Sequence, residues 1–194
     1  IPYIKKNKAV LYVNVGDYKN VWDELIRDIP QMRELATEHF DNWKDTKAFA
    51  TKALSASQIN NSDVVTDNNR DDNSKNITAD NSSEDTSDNI TGIHGFYHKN
   101  IFEAVYCTNL LMRSADVLVT KPSELAFYPV PKLFIKRVGG HEQWGAVHSA
   151  EIGDGTLECR DIPHTLQMIK LFMEDDTYII DMCKNIKKNK QMGI

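Results

Sequence analysis

The residues from Ser114 to Thr156 constrain the fold more than any other part of this chain. An apolar run of strand character, Asp116 to Lys121, stops at Pro122, and a short segment, Ser123 to Tyr128, opens there with Ser and Glu. A second apolar run, Pro131 to Arg137, ends on two glycines, and a stretch that can form a helix follows. Strands that alternate with helices in this way are typical of a parallel α/β sheet. Such sheets bind ligands beyond the carboxyl ends of their strands, so we expect the functional site there.

The rest of the chain extends this pattern toward both termini. The other predicted elements, in chain order, are a strand at 9–15, a helix that stops at Pro30, a more polar helix from 31 to about 54, a strand at 91–96, a helix from 101 to 112, and two closing helices at 163–173 and 178–187. We therefore predict one Rossmann-like α/β domain, made of residues 1–59 and 90–194, whose central sheet includes 9–15, 116–121 and 131–137. One strand is missing from the pattern before Thr91, and Ser62 to Asp67 could be its remnant.

Asn60 to Asn89 differs from the rest of the chain in composition. This segment contains seven Asp and one Glu against only Arg70 and Lys75, a local charge of −6, and 23 of its thirty residues are Asn, Asp, Ser or Thr. The net charge of −5 for the chain therefore leaves about +1 for all other residues. Because so polar a segment buries too little apolar surface to offset its ordering entropy, we predict a disordered insertion at 60–89.

Several classes of protein are disfavoured by what the sequence lacks. No apolar run approaches the roughly 20 residues of a membrane span, and no signal peptide is visible. The cysteines Cys107, Cys159 and Cys183 are odd in number and widely spaced, so we expect neither a metal site nor a disulfide framework and favour a cytoplasmic setting. The sequence shows no basic face interleaved with aromatic residues, so nucleic-acid binding is not expected. Because the chain starts at Ile1 and not at Met, we expect it to be part of a longer polypeptide.

The motifs resemble those of a known family. The matching stretches are Gly95-Phe96, Leu111-Met112, Asp116 to Lys121, Ser123 to Ala126, Val130-Pro131 and Gly140 to Ala146. Over about residues 92 to 156 they are similar to the carboxyl-terminal, donor-binding domain of GT-B glycosyltransferases, in particular the peptidoglycan N-acetylglucosaminyltransferase and monogalactosyldiacylglycerol synthase group. The resemblance implies that this chain is one half of a GT-B architecture and that it binds a nucleotide sugar, with a uridine nucleotide the expected donor.

The resemblance also implies roles for residues of the first turn. Glu124 takes the place of the family's glutamate that accepts hydrogen bonds from the ribose hydroxyls, which suits an acceptor-only carboxylate facing a vicinal diol. Lys121 is a candidate phosphate counter-charge, and Ser123 lies between them. The alternatives are that Glu124 is a favourable charge in the first turn of a helix and that Lys121 is simply solvated.

The second turn, Gly139-Gly140-His141-Glu142-Gln143, takes the place of the family's loop that meets the diphosphate and the sugar. Glycines allow close backbone approach, and the amides that open the next helix face an anion. Glu142 is expected to accept from sugar hydroxyls and His141 to donate to a phosphate oxygen, unless this is only a strand-to-helix turn. Phe96, in a Gly-Phe turn after a strand, and Gly16, in a loop that could line an interdomain cleft, complete the expected binding residues.

The expected function is transfer of a hexosyl group from a UDP-sugar, used as co-substrate without a further cofactor, to a lipid-linked or small-molecule acceptor. The amino-terminal acceptor half of the family's architecture is absent from this chain, so the catalytic base is unknown, and the chain alone is expected to be inactive. That missing half could provide peripheral membrane association. Two alternatives remain, a GT-B-type sugar-nucleotide epimerase and a catalytically silent binding or scaffold module; the compact turn from Lys121 to Glu124, shorter than in the family, favours the second.

The histidines are interpreted as structural or exposed; they are His94, His98, His148 and His164.

Overall fold

The computed structural model describes residues 1–62 and 89–194, with the side chains of 58–62 left aside. The chain divides into two compact units, Ile1–Ser114 and Ala115–Ile194. Each unit contains a small parallel sheet with helices around it, which agrees with the predicted α/β class. The predicted insertion at 60–89 and the possible strand remnant at 62–67 fall almost entirely outside the described residues.

The prediction of a single sheet is wrong. Strand 9–15 belongs to a three-stranded sheet in the first unit, whereas strands 116–121 and 131–137 pair in a separate two-stranded sheet in the second. The strand order in the first sheet is β1-β3-β2, and all pairs in both sheets are parallel. The predicted parallel pairing of 116–121 with 131–137 is therefore correct, but these two strands form a sheet of their own and do not pair with 9–15.

The first unit contains three strands and five α-helices among its described residues. In chain order these are α1 (Pro2–Lys5), β1 (Val10–Asn14), α2 (Lys19–Asp28), α3 (Pro30–Arg33), β2 (Ala36–Phe40), α4 (Trp43–Ser62), β3 (Gly92–Tyr97) and α5 (Ile101–Leu111), followed by a 3₁₀ turn at Met112–Ser114. The central strand β3 is almost completely buried, as expected for a strand with a partner on each side.

Strand β2 corrects the predicted helix from 31 to about 54. The structure instead has the short helix α3, the strand β2 and then the helix α4. The chain leaves β2 through Asp41, which adopts a left-handed backbone with φ of 50°. Aspartate tolerates this conformation better than most residues, so it ends the strand without a glycine or proline.

The core of the first unit lies on both faces of β3. One cluster contains Phe49, Phe96 and Cys107, and the other is built around Trp22 and Ile93. Gly95 permits the second cluster, because a β-carbon at this position would collide with the indole ring of Trp22. The expected Gly-Phe turn is therefore wrong: Gly95 and Phe96 lie inside β3 and help form the core.

The second unit contains the elements that carry the expected site. In chain order they are β4 (Leu118–Thr120), a 3₁₀ helix at Glu124–Phe127, β5 (Lys132–Phe134), a 3₁₀ turn at Gly140–Glu142, α6 (Gln143–Ile152), α7 (Ile162–Glu174) and α8 (Thr177–Met192). The helices begin and end on ordinary signals: the Asp161 side chain accepts a hydrogen bond from the His164 amide at the start of α7, and Gly153 ends α6 with φ of 74°.

The second unit packs around β5. Leu133 lies in a cluster with Cys159 and Phe172, while Phe134 packs against Ala126 and Ala146 on the other side. Gly145 allows α6 to approach the turn after β4, since a β-carbon there would lie 2.7 Å from the carbonyl oxygen of Pro122. This close packing places the start of α6 directly beside the predicted binding turn.

All three cysteines lie in the described residues as free thiols, consistent with the absence of a disulfide framework. Burial raises the pKa of the Cys107 thiol to about 12, so this residue is an inert part of the core. Within residues 1–62 and 89–194, no helix is both long enough and apolar enough to cross a bilayer.

Candidate functional site at the edge of the β4–β5 sheet

The parallel pairing of β4 and β5 brings the two predicted binding turns to one edge of the sheet. Leu118 pairs with Lys132, Val119 with Leu133 and Thr120 with Phe134. The carboxyl ends of the two strands are therefore side by side, and the turns starting at Lys121 and at Gly139 both lie beyond them. This register agrees with the prediction that the two turns lie at one edge of the sheet, whereas ligand binding there stays a prediction.

A salt bridge joins the two turns. The ammonium group of Lys121 lies 2.7 Å from Glu142 Oε1, and the other carboxylate oxygen accepts hydrogen bonds from the amides of Val138 at 2.8 Å and Gly139 at 3.2 Å. The Glu142 side chain is only 5% exposed, whereas that of Lys121 is 45% exposed. Glu142 thus uses both oxygens to hold its own turn together and to tie it to the turn after β4.

These contacts determine the charge state of the pair. The hydrogen bond from Lys121 and the two backbone amides lower the pKa of Glu142 to about 2. In return, Glu142 raises the pKa of Lys121, and Glu124 adds a smaller electrostatic contribution of the same sign. The carboxylates of Glu124 and Glu142 therefore both interact electrostatically with the ammonium group of Lys121.

The remaining predicted residues of the two turns are mostly accessible. Glu124, Gly140, His141 and Gln143 are exposed, whereas Ser123 and Gly139 are half-buried. The Ser123 amide donates to the Lys121 carbonyl at 2.8 Å, and its own carbonyl accepts from Ala126 at 2.9 Å. Ser123 therefore shapes the turn through its backbone, while Glu124 presents a carboxylate to solvent.

Two predicted binding residues belong to the first unit. Phe96 is completely buried, so it has no surface for a ligand. Gly16 follows β1 with φ of 63°, and its amide donates to the side-chain oxygen of Asn14 at 3.0 Å. Both residues belong to the first unit, whereas the two predicted binding turns belong to the second.

Sequence reasoning missed a second polar group, which lies at the carboxyl ends of β2 and β3. Asp41 follows β2, His98 follows β3, and Glu103 lies in the first turn of α5. Their ligand-forming atoms all lie within 4.8 Å of one another. His98 is completely buried, and burial lowers its pKa although Glu103 and Asp41 oppose this effect. The available signal was Phe40-Asp41 and Tyr97-His98, an apolar strand end followed by a polar residue in each case.

Comparison with known proteins yields one match. A family model described as a domain of unknown function, DUF6938, matches the chain in two overlapping segments, residues 1–81 and residues 58–194. No curated protein and no solved structure matches the chain significantly. The matched residues extend over both structural units, and the resemblance to GT-B glycosyltransferases stays a prediction.

Proposed function

This chain belongs to the DUF6938 family, and we propose that it acts as the donor-binding part of a glycosyltransferase that uses a nucleotide-activated sugar, with a UDP-sugar the expected donor. The observation that carries this proposal is the meeting of the two turns after β4 and β5, joined by the 2.7 Å contact between Lys121 and Glu142. α/β sheets bind nucleotides beyond the carboxyl ends of their parallel strands, and the two turns lie at this position.

Glu124 is the residue that would recognise the nucleotide. Its carboxylate is exposed at the start of a 3₁₀ helix, so its lone pairs are available to the two hydroxyls of a ribose. Loss of the hydrogen bonds to such a charged acceptor weakens binding by roughly 1–3 kcal/mol. Glu124 therefore offers the most direct test of the site.

The second turn would meet the diphosphate through its backbone. Gly140 and His141 open the 3₁₀ turn that leads into α6, and both are exposed. Amides at the start of a helical segment face anions favourably, and a glycine lets an anion approach closely. Lys121 keeps further N–H donors beyond the one given to Glu142, so it can still contribute positive charge.

The role of Glu142 changes in this proposal. Because both of its oxygens already accept hydrogen bonds from Lys121, Val138 and Gly139, we infer that it positions the turn and does not itself select the sugar hydroxyls. Transfer would then depend on electrostatic stabilisation of the departing diphosphate, with Lys121 and the backbone amides as the donors.

The same salt bridge favours a second candidate, a binding module that does not catalyse transfer. The two charges expected to contact the phosphate and the sugar neutralise each other, and Pro122, in the compact turn between Lys121 and Glu124, is completely buried. A turn this tightly packed can retain a nucleotide site while losing catalytic geometry.

Calorimetric titration of the complete polypeptide with UDP and with UDP-N-acetylglucosamine tests the proposal. We expect saturable binding that Glu124→Ala weakens by about 5- to 150-fold, following the loss of charge-assisted hydrogen bonds. Glu151→Ala, which removes an exposed carboxylate from α6, is the matched control and should bind like the parent. No binding of either ligand, or equal binding by Glu124→Ala, would exclude the donor site.

Release of UDP from the sugar nucleotide separates the two candidates. A transferase should hydrolyse UDP-N-acetylglucosamine slowly to free UDP when no acceptor is present, since water can replace the acceptor. A binding module should bind the same ligand with no turnover.

A further inference from the structure

We propose that Asp41, His98 and Glu103 bind a divalent transition-metal cation at the carboxyl ends of β2 and β3. This site is separate in its residues from the two turns of the β4–β5 edge and does not depend on the donor-binding proposal. All three residues belong to the first unit, and their ligand-forming atoms lie within 4.8 Å of one another.

The ring of His98 is oriented by contacts that leave one nitrogen for a ligand. Its Nε2 lies 3.0 Å from the hydroxyl oxygen of Thr46, which is also completely buried, and its backbone amide donates to the Gly16 carbonyl at 3.1 Å. When Nε2 donates to Thr46, Nδ1 carries the lone pair. A hydrogen bond that holds one ring nitrogen in this way is the usual arrangement around a metal-bound histidine.

The other ring nitrogen is unsatisfied. His98 Nδ1 is buried and has no hydrogen-bond partner within the described part of the chain, and the nearest carboxylate oxygen, Glu103 Oε2, lies 3.6 Å away. That distance is too long for a good hydrogen bond. Because buried polar atoms rarely remain without a partner, a nitrogen that points toward two carboxylates calls for a ligand between them.

Asp41 is held at the site by one hydrogen bond of its backbone and one of its side chain. Its amide donates to the Tyr97 carbonyl at 2.8 Å, and its Oδ1 accepts from the Lys99 amide at 3.0 Å. These two bonds link the loop after β2 to the loop after β3, on either side of His98. The left-handed conformation of Asp41 is therefore part of the geometry that brings its carboxylate beside the imidazole.

The donor set defines the class of ion. One imidazole nitrogen and two carboxylates suit Zn²⁺, Mn²⁺ or Fe²⁺, whereas Ca²⁺ and Mg²⁺ prefer oxygen ligands alone. Ligand atoms that are each about 2 Å from such an ion lie about 3–4 Å from one another, so the observed spacing needs only small side-chain movements. Three protein ligands leave coordination positions for water or for an oxygen of a bound molecule, as in catalytic metal sites.

The test uses the complete chain, freed of metal with a chelator and titrated with Zn²⁺ by calorimetry. We expect one ion to bind per chain, and we expect Asp41→Asn and Glu103→Gln each to weaken binding by at least tenfold. Both residues reach the surface, and asparagine tolerates a left-handed backbone, so the two variants should fold. Asp45→Asn and Glu24→Gln remove exposed carboxylates of the same unit and should bind Zn²⁺ like the parent.

A second measurement identifies the ligand atom. The ¹⁵N resonance of His98 Nδ1 should shift when Zn²⁺ is added, while Nε2 keeps its proton toward Thr46. The proposal is overturned if Zn²⁺ and Mn²⁺ both fail to bind, if both variants bind as tightly as the parent, or if Zn²⁺ binds without moving the Nδ1 resonance. In the last case a cysteine or another histidine holds the ion.

Discussion

Lys132 and Asp154 form an ion pair from which solvent is excluded. The Lys132 side chain is completely buried, and its ammonium group donates to Asp154 Oδ2 at 2.7 Å and to the carbonyls of Tyr128 at 2.8 Å and Val130 at 3.0 Å. Each of its three hydrogens therefore has an acceptor. The second Asp154 oxygen, Oδ1, is buried without a hydrogen-bond partner among the described residues. Burial lowers the pKa of Lys132, although the contact with Asp154 opposes the shift.

We predict that Lys132→Met destabilises the chain by about 3–5 kcal/mol, because it leaves a buried carboxylate without its counter-ion. Guanidinium unfolding measures the change. Adding Asp154→Asn to this variant should recover part of the loss, since the double variant buries no charge. Lys136→Met, at an exposed lysine just beyond β5, is the control. Unfolding of Lys132→Met at the parent's guanidinium concentration would contradict the prediction.

The Glu142 carboxylate should contribute a pH-dependent part of the stability. Its pKa is about 2 in the folded chain against an ordinary value of 4.5, so its contribution is present above about pH 4.5 and is lost as the pH falls toward 2. Glu142→Gln should therefore lower the melting temperature at pH 7, and the difference from the parent should shrink below pH 4.5.

Amide hydrogen exchange locates this effect of Glu142. The amides of Val138 and Gly139 donate to Glu142 Oε2, so both should exchange faster in Glu142→Gln. Glu151→Gln, in α6, should leave both rates unchanged. Equal protection of these amides in the parent and in Glu142→Gln would show that the carboxylate does not hold the turn.

A histidine pair in the first unit, buried His94 with half-buried His39, predicts acid sensitivity. His39 Nε2 lies 3.1 Å from His94 Nδ1, and burial, with a smaller contribution from His39, lowers the pKa of His94 to about 4 from an ordinary value of 6.5. As the pH falls, His94 is therefore protonated in the unfolded chain at a higher pH than in the folded chain. The free energy of unfolding should fall by up to about 3 kcal/mol between pH 6.5 and pH 4 from this residue.

Urea unfolding at pH 7, 5.5 and 4.5 measures the contribution of His94. His94→Gln should be less stable than the parent at pH 7 but should lose less stability on acidification. His164→Gln, in the first turn of α7, is the control variant. A parent and a His94→Gln variant with identical slopes would remove His94 as the cause.

Gly145 predicts a steric limit next to the candidate donor site. A methyl group there would lie 2.7 Å from the Pro122 carbonyl oxygen and 3.1 Å from the Ala126 β-carbon, so the backbone must shift. Gly145→Ala should cost about 1–3 kcal/mol of stability, measured by chemical unfolding. Gly140→Ala is the control from the same motif, since no described atom outside Gly140 and its two chain neighbours lies within 4 Å of its β-carbon position. Equal stability of the two variants would contradict close packing between α6 and the turn.

The second unit was the more predictable half of the fold. Both of its strands, the turn at Pro122, the glycine pair and the closing helices follow from local signals, and the parallel pairing follows from the intervening segment. The contact between Lys121 and Glu142 could not be predicted, because it joins residues 21 apart through a register that only the folded sheet sets. Sequence reasoning therefore identified the turns but assigned Glu142 a ligand where the structure gives it an internal partner.

The first unit was less predictable for physical reasons. Strand β2 exposes Thr37 and Glu38 at the edge of the sheet, so it lacks the apolar run of a central strand. No glycine or proline separates it from α4, and its end is set by the conformation of Asp41. The proposed metal site of Asp41, His98 and Glu103 depends on the same missed strand, because β2 is what brings Asp41 beside His98. Without β2, no partner residue for His98 could be predicted from the sequence.

The strand order of the first sheet has a consequence for biosynthesis. Within the described residues, β1 and β2 pair only with β3, which lies between them and comes more than fifty residues after β2 along the chain. As the polypeptide leaves the ribosome, β1 and β2 have no partner strand for their backbone hydrogen bonds until β3 emerges. A nascent chain stalled before Gly92 should therefore be open to proteases, whereas one stalled well beyond Ser114 should resist them.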